Sequence, residues 1–382
     1  MDTSNKVGLA ISGGGYRATL YALGSLWRLN QFGMLKKFKT ITSVSGGSIL
    51  TAYLAMNWNL LKFDEQGIAT NFEFIIAEPI MRFCKITIDQ GAVISGILSW
   101  NDTIGDKVAK AYNKHLYRNT KLGDLPDSEG STEFIFYGTN YQTGSSIRLQ
   151  KHKISDYKIG YISDPDIELA KVVGISSAFP PIMSPVTLKT NPNDWVLNED
   201  SEYSQNIKLR EKLLLCDGGL YDNLGLEAIS KAKGNYTHVL CCDAGAPLKI
   251  GNKIRRNWAS QLYRMTDIMT EQQRALRKRK LMRDYKAVSA EGKHLIYGGT
   301  YFGISTKIDK YEVNEPMTKD HQLSNSLKLI RTRLNKFTDE EQGYLINWGY
   351  ALTDAAIRKW SGELVDPKLL VKGQWPIPRY KL

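Results

Sequence analysis

Two kinds of apolar pattern alternate along the first sixty residues. A short apolar run over residues 6–12 stops at Gly13, Gly14 and Gly15, and the β-branched run 40–44 stops at Ser45. After each stop, apolar residues recur at roughly helical spacing: Leu20, Leu23, Trp27 and Leu35 after the first, and Ile49, Leu50, Tyr53 and Leu54 after the second. Two successive strand–turn–helix units predict a parallel sheet with helices on its faces.

The rest of the chain predicts further elements of both kinds. Candidate strands cover residues 134–138, 146–149, 212–216 and 238–242, the second following the first across a turn at Gly144. Candidate helical regions are a weakly patterned insertion at about 58–130, a long helix over 255–286, and one or two helices over 320–360. The Pro-rich tail from Pro367 is expected to be extended.

The composition is typical of a globular protein, and the chain is strongly basic. The 382 residues are 42% hydrophobic and 24% charged, and the net charge is +12. Such an excess favours an anionic partner: a membrane surface, a nucleic acid or a small anionic ligand. No apolar run is long enough to span a bilayer, and no secretory signal is visible at Met1, so we expect a cytoplasmic protein.

Cysteine and histidine spacing predicts neither a metal site nor a cofactor. Cys84, Cys216, Cys241 and Cys242 form no C-x-x-C pair, and the five histidines show no metal-binding spacing. All four cysteines lie in apolar stretches, which is typical of buried, reduced thiols.

Ser45 is a candidate nucleophile. A sharp turn from strand to helix would expose its hydroxyl, and the helix N-terminus would favour developing negative charge. Gly46 and Gly47 would allow a close approach of backbone and substrate. The G-x-S-x-G pattern is half kept, because Ser43 replaces its first glycine. The alternative is a Gly/Ser turn in which Ser45 or Ser48 caps the helix.

The three glycines before the first helix are a candidate anion-binding turn. Their successive N–H groups can form a concave nest suited to the oxyanion of an acyl intermediate, and Arg17 could add charge or anchor the loop. Gly13, Gly15 and Ala18 also satisfy the dinucleotide-binding pattern G-x-G-x-x-A. That pattern requires an acidic residue about 20 positions later, where residues 38–40 contain none.

Asp217 is the candidate base. It follows an apolar strand and precedes Gly218 and Gly219, a position from which a carboxylate can face the other strand ends. A nucleophilic serine needs a base, and His238, near the start of its strand, lies at the wrong end. Partial burial would have to raise the pKa of Asp217. The alternative is an ordinary turn or N-cap aspartate.

These three motifs, in this order, resemble the patatin-like phospholipase family. The motifs are the turn at residues 13–17, the elbow at residues 43–47 and Asp217-Gly218-Gly219. The segments 176–181 and 219–225 are also similar to the family, and the likeness covers roughly residues 5–250. The departures are Ser43 in the elbow, and Ser12 and Ala18 beside the glycine turn.

The resemblance implies an α/β protein with a modified α/β/α hydrolase sandwich around a mostly parallel sheet. It implies Ser45 as nucleophile and Asp217 as base, without a metal. It places the oxyanion hole at Gly13, Gly14, Gly15 and Arg17, with Gly46, Gly47, Gly218 and Gly219 supporting the elbow and the base loop. We expect an acyl hydrolase domain over residues 1–310, including the insertion, and a helical C-terminal extension over 311–382.

The expected substrate is a membrane phospholipid, cleaved at its acyl esters. Residues 253–286 carry eleven Lys or Arg and three Asp or Glu. This stretch predicts docking on an anionic membrane surface, peripherally at the inner membrane, or a solvated helix face. Its apolar residues fit interfacial docking or packing against the domain. Resemblance to antiphage effectors suggests a cyclic-nucleotide activator, and an oligomer is compatible with this; no nucleic-acid polymer is expected. The alternatives are a soluble thioesterase or carboxylesterase, and a non-catalytic membrane-binding scaffold.

Overall fold

The computed structural model of the chain describes residues 6–88, 103–127, 132–197, 201, 203, 205–232, 236–250 and 256–382. Within the predicted insertion, residues 89–102 and 128–130 therefore lie outside the described part. The same is true of residues 253–255 at the start of the basic stretch.

Eleven strands form one sheet. In chain order they are β1 (Val7–Ile11), β2 (Phe38–Ser43), β3 (Glu133–Asn140), β4 (Ser146–Gln150), β5 (Lys153–Asp156), β6 (Gly160–Ser163), β7 (Val186–Lys189), β8 (Trp195–Val196), β9 (Lys212–Asp217), β10 (His238–Asp243) and β11 (Gly298–Gly303). The sheet order is β11-β10-β1-β2-β3-β4-β5-β6-β8, and β9 joins the side of β3 and also pairs with β7.

The first five strands in that order are mutually parallel, and every pairing beyond β3 is antiparallel. In the parallel part, Leu9 of β1 pairs with Ile41 of β2 and Leu240 of β10, and all three are fully buried. Burial on both faces explains why β1 and β10 are continuous apolar runs instead of alternating ones. The predicted α/β class and its parallel central sheet are confirmed.

The helices lie between and after these strands. They are α1 (Gly15–Gln31), α2 (Gly46–Met56), α3 (Glu78–Phe83), α4 (Ile104–Tyr112), α5 (Leu169–Ser176), α6 (Lys208–Glu211), α7 (Gly219–Asp222), α8 (Glu227–Lys231), α9 (Trp258–Lys286), α10 (Gln322–Ser326) and α11 (Asp339–Trp360). Among the helices that are described, none has the length and hydrophobicity of a bilayer-spanning segment.

The C-terminal helix α11 packs directly on α1. A Cβ at Gly24 would lie 1.9 Å from the Ile346 carbonyl oxygen, and one at Gly349 would lie 2.0 Å from that of Tyr21. The two backbones therefore touch through glycines. Beside them, Arg28 and Asp354 form a buried ion pair at 2.7 Å. Helix α11 therefore covers the middle and the C-terminal half of α1.

Candidate active site

Ser45 stands at the turn between β2 and α2. Its φ of 51° and ψ of −121° are strained for a residue with a side chain. Helix α2 begins at Gly46, so the partial positive charge of its N-terminus lies next to the serine. The strand-to-helix turn proposed from the sequence is therefore present. Ser45 is 8% exposed.

The glycines beside Ser45 let the elbow touch the first glycine turn. A Cβ on Gly46 would come within 2.1 Å of the Gly15 carbonyl oxygen, and one on Gly47 within 2.7 Å of the Ser12 carbonyl oxygen. Carbonyl groups cannot retreat from such contacts without moving the chain. Glycine is therefore needed at both positions for close packing, even though neither has a positive φ.

The elbow also rests on a set of buried hydroxyl groups. The Ser45 N–H donates to Ser176 Oγ at 3.0 Å, and Ser176 Oγ lies 2.9 Å from Ser48 Oγ. Ser48 Oγ in turn lies 3.1 Å from Ser43 Oγ, which accepts a hydrogen bond from Thr51 at 2.6 Å. Ser43, where the family pattern has glycine, is thus a member of this network. Of the other members of the network, the sequence marked Ser176 only as part of the family-like segment 176–181, and it did not mark Thr51.

The glycine turn faces Ser45 closely. A Cβ on Gly13 would lie 3.0 Å from that of Ser45. Gly14 and Gly15 adopt φ values of 144° and 58°, conformations that glycine reaches without strain. The N–H of Gly13 donates to the Asn223 carbonyl at 3.1 Å. Within the described residues, the Gly14 and Gly15 N–H groups have no such backbone partner, so both are available to an added acceptor.

Arg17 lies behind this turn and anchors it. Its Nε donates to the Ala244 carbonyl at 3.0 Å, and its Nη1 donates to the Ile330 carbonyl at 2.7 Å and to Thr332 Oγ1 at 2.5 Å. Burial, reinforced by nearby Arg274, lowers the pKa of Arg17 to about 10, so it stays charged at neutral pH. Of the two roles left open for Arg17, the contacts favour anchoring, and its partners are carbonyls and a hydroxyl instead of a carboxylate.

Asp217 ends β9 and is 2% exposed. Its Oδ1 accepts the Gly219 N–H at 2.6 Å. Burial raises the pKa of Asp217 from 3.8 to about 7, although the Gly219 N–H and the nearby Ser45 side chain both act to lower it. At neutral pH the carboxylate is therefore balanced between accepting and releasing a proton, as a general base requires.

The glycines after Asp217 make room for Asn223. A Cβ on Gly219 would lie 2.6 Å from Asn223 Oδ1, and one on Gly218 would lie 2.5 Å from the Tyr137 carbonyl oxygen. Asn223 Oδ1 is also 2.5 Å from the Cβ position of Gly13. Asn223 therefore lies between the base loop and the glycine turn, and it holds the latter through its carbonyl. The sequence marked Asn223 only as part of a family-like segment.

Two of the five histidines bond to acidic residues other than Asp217. His238 bonds to Glu363, and His152 bonds to Asp164 and Asp127. Across the described ranges, no group of three or more potential ligands could hold a metal ion.

Comparison with known proteins relates this geometry to a family. A family model described as Patatin-like phospholipase matches residues 9–229, more than half of the chain. No curated protein matches the sequence. In fold, the chain is similar to human GIVD cytosolic phospholipase A2, with a TM-score of 0.55 at 11% identity, covering 97% of this chain and 60% of that one.

The same human protein in complex with methyl gamma-linolenyl fluorophosphonate gives a TM-score of 0.53 at 12% identity, covering 96% of this chain and 58% of that one. The chain thus spans about 60% of the length of its structural neighbour. At such low identity the likeness shows the fold.

Proposed function

This chain belongs to the patatin-like phospholipase family, and on that premise we propose that it is a serine hydrolase of membrane-lipid acyl esters. Ser45 is the nucleophile and Asp217 the base. The main observation in favour is that Ser45, at a strained elbow beside the glycine turn, lies near enough to the buried Asp217 carboxylate to influence its pKa. The pKa of about 7 for Asp217 supports the same assignment.

In the proposed reaction, Asp217 takes the hydroxyl proton while Ser45 Oγ bonds to the acyl carbon. The carbonyl oxygen becomes an oxyanion, which the N–H groups of Gly14 and Gly15 stabilise beside the N-terminus of α2. The C–O bond to the alcohol then breaks, and Asp217 returns the proton to the leaving oxygen. A water molecule then gives a proton to Asp217 and attacks the acyl carbon. The bond from that carbon to Ser45 Oγ breaks, Ser45 Oγ takes the proton back from Asp217, and the fatty acid is released.

Matched serine variants test the nucleophile. Ser45→Ala should abolish phospholipid hydrolysis and covalent labelling by a fluorophosphonate, the kind of inhibitor bound in the human neighbour. Ser43→Ala, two residues away in the same elbow, should still be labelled. Asp217→Ala should fold and lose hydrolysis. Full activity in Ser45→Ala would exclude the dyad, and equal labelling of all variants would exclude Ser45 as the target.

The two alternative functions, a soluble esterase and a non-catalytic scaffold, can be distinguished by experiment. A soluble thioesterase or carboxylesterase would cleave short, water-soluble esters without binding vesicles, whereas a lipid hydrolase should prefer vesicle-bound substrate. A non-catalytic scaffold would bind lipid and resist labelling by the fluorophosphonate. Lipid profiling by mass spectrometry of a membrane extract treated with wild type or Ser45→Ala separates all three.

We further propose that the enzyme binds anionic membranes peripherally, with the 253–286 stretch contributing. Two arginines of this stretch already have partners within the protein. Arg274 pairs with Asp243 at 2.9 Å and Arg277 pairs with Glu227 at 2.7 Å, so both are poorly placed to bind lipid headgroups. Exposed cations such as Arg279 are the better candidates. Co-sedimentation with vesicles containing phosphatidylglycerol should weaken with salt and in Arg279→Glu. Salt-independent binding would contradict this role.

Activation by a cyclic nucleotide, in an antiphage role at the inner membrane, stays a prediction from the family resemblance. A cyclic nucleotide is anionic, so its binding site should contain cationic side chains other than Arg274 and Arg277, which already pair with carboxylates. Incubation with a panel of cyclic dinucleotides, with lipid hydrolysis as the readout, tests it. Unchanged hydrolysis throughout the panel would remove the proposal.

A further inference from the structure

Asn223 follows α7, the short helix after Asp217, and its backbone is held from both sides. Its N–H donates to Gln273 Oε1 on α9 at 3.4 Å, and its carbonyl accepts the Gly13 N–H at 3.1 Å. Gln273 Nε2 also donates to the Tyr221 carbonyl at 2.5 Å. Helix α9 and the glycine turn together therefore fix the main chain at Asn223, and this determines where its side chain reaches.

The Asn223 side chain extends from this backbone toward the proposed reacting groups. Its Oδ1 lies 2.5 Å from the point that a Cβ of Gly13 would occupy, and that point is 3.0 Å from Ser45 Cβ. Oδ1 also lies 2.6 Å from the Cβ position of Gly219, which is 2.9 Å from Asp217 Oδ1. The carboxamide oxygen is therefore close to the nucleophile on one side and to the base on the other.

This carboxamide has hydrogen-bonding capacity to spare. In the part of the chain that the structure describes, its side-chain atoms take part in no hydrogen bond; the bonds of Asn223 are those of its backbone. Asn223 is half-buried, whereas its neighbours Asp222 and Leu224 are buried. A ligand in the site can therefore bond to the Asn223 oxygen, which is an acceptor with two lone pairs, without displacing another residue.

An acceptor in this place favours water as its ligand. The oxyanion of the proposed reaction would be repelled by Asn223 Oδ1. The Ser45 hydroxyl has one proton, which it gives to Asp217, so it needs no second acceptor. A water molecule has two O–H groups and can donate one to Asp217 and the other to Asn223. Two acceptors fix the direction of its lone pairs, whereas one would let it rotate.

We propose that Asn223 is a further catalytic residue that orients the hydrolytic water. This inference rests on the proposed function, because it concerns the second half of that reaction. The water donates a hydrogen bond to Asn223 Oδ1 and gives its other proton to Asp217 as its oxygen bonds to the acyl carbon. The bond from that carbon to Ser45 Oγ then breaks, and Ser45 Oγ takes the proton from Asp217. Asn223 forms no covalent bond at any stage.

Single-turnover kinetics, with enzyme in excess over an activated fatty-acyl ester, test this role. Release of the alcohol measures formation of the acyl-enzyme. Intact-mass spectrometry of acid-quenched samples follows the acyl group on Ser45 as it forms and decays. In Asn223→Ala, alcohol release and fluorophosphonate labelling should match wild type, because neither step uses water. Decay of the acyl-enzyme should slow about tenfold or more, the effect of losing one hydrogen bond in the transition state.

The variant separates the side chain from the backbone. Asn223→Ala keeps the N–H and the carbonyl that bond to Gln273 and Gly13, so the glycine turn should stay in place. Asn193→Ala is the matched control, since Asn193 is exposed in the short helical turn before β8. It should show wild-type rates for both formation and decay of the acyl-enzyme.

Two results would overturn the inference alone. Unchanged decay of the acyl-enzyme in Asn223→Ala would show that the water needs no second acceptor. An equal loss in alcohol release and in decay would show that Asn223 supports the glycine turn or the oxyanion instead of the water. A wild type that forms no acyl group on Ser45 would overturn the proposed function and this inference with it, so the two failures are distinguishable.

Discussion

Replacing Asp217 by asparagine should inactivate the enzyme and also stabilise its fold. Asparagine has nearly the same shape, and its side-chain oxygen can still accept the Gly219 N–H that Asp217 accepts at 2.6 Å. It cannot take a proton from Ser45, so hydrolysis should be lost. The substitution also removes a negative charge from a site that is almost completely shielded from water, and this should raise the free energy of unfolding.

The size of the stabilisation follows from the pKa. An aspartate whose pKa rises from 3.8 when unfolded to about 7 when folded loses about 4 kcal/mol of folding free energy on ionising. Below pH 3.8 both states hold the proton and there is no loss. Between pH 3.8 and 7 the folded protein alone keeps it, so stability falls as pH rises, and above pH 7 the full loss is present.

Denaturant unfolding of wild type and Asp217→Asn at several pH values between 5 and 8 measures this difference. The variant should gain stability relative to wild type as pH rises, with a plateau above neutrality. Asp243→Asn is the matched control, because Asp243 is equally buried at the end of β10. Burial alone would raise the pKa of Asp243, but Arg274 and Tyr301 lower it. Asp243→Asn should therefore be destabilised by a similar amount at every pH between 5 and 8, because both the folded and the unfolded pKa of Asp243 lie below this range. A pH-independent difference for Asp217→Asn would refute the reasoning.

Three further outcomes are expected. The value of kcat/KM should rise with pH through about 7, because the proposed base, Asp217, would act only when ionised; a flat profile would point to another base. Ser176→Ala should slow fluorophosphonate labelling and cost about 1–3 kcal/mol of stability in urea, because it leaves the Ser45 N–H without its acceptor. Gly349→Ala should lower the melting temperature, since its Cβ would lie 2.0 Å from the Tyr21 carbonyl oxygen, whereas Gly123→Ala, with nothing within 4 Å, should not.

The parts of the fold that were predictable are those with strong local signals. Segments such as β1 and β10 are continuous apolar runs, and α9 has a long helical pattern, so each could be located from its own residues. Strand β11 (Gly298–Gly303) was missed because it contains three glycines and reads as a loop. It is a strand only because β10 provides a parallel edge for it.

The candidate site shows the same division. Ser45, Asp217 and the glycines around them stand at the ends of apolar runs, and the carboxyl ends of neighbouring strands converge, so the chemistry could be proposed from sequence alone. Ser176 and Asn223 have no such local signal. Their roles depend on contacts across 131 residues in one case and on a carbonyl directed at Gly13 in the other.

The chain sequence by itself located the continuous apolar strands, the long basic helix and the reactive residue types, because these depend on neighbours along the chain. Only the tertiary structure decided which groups are buried and which are left exposed. It brought Asp217 out of water, which raises its pKa to about 7, and it left Trp258 in solvent. Burial depends on segments that are distant along the chain and meet only when it folds, so no local pattern could reveal either result.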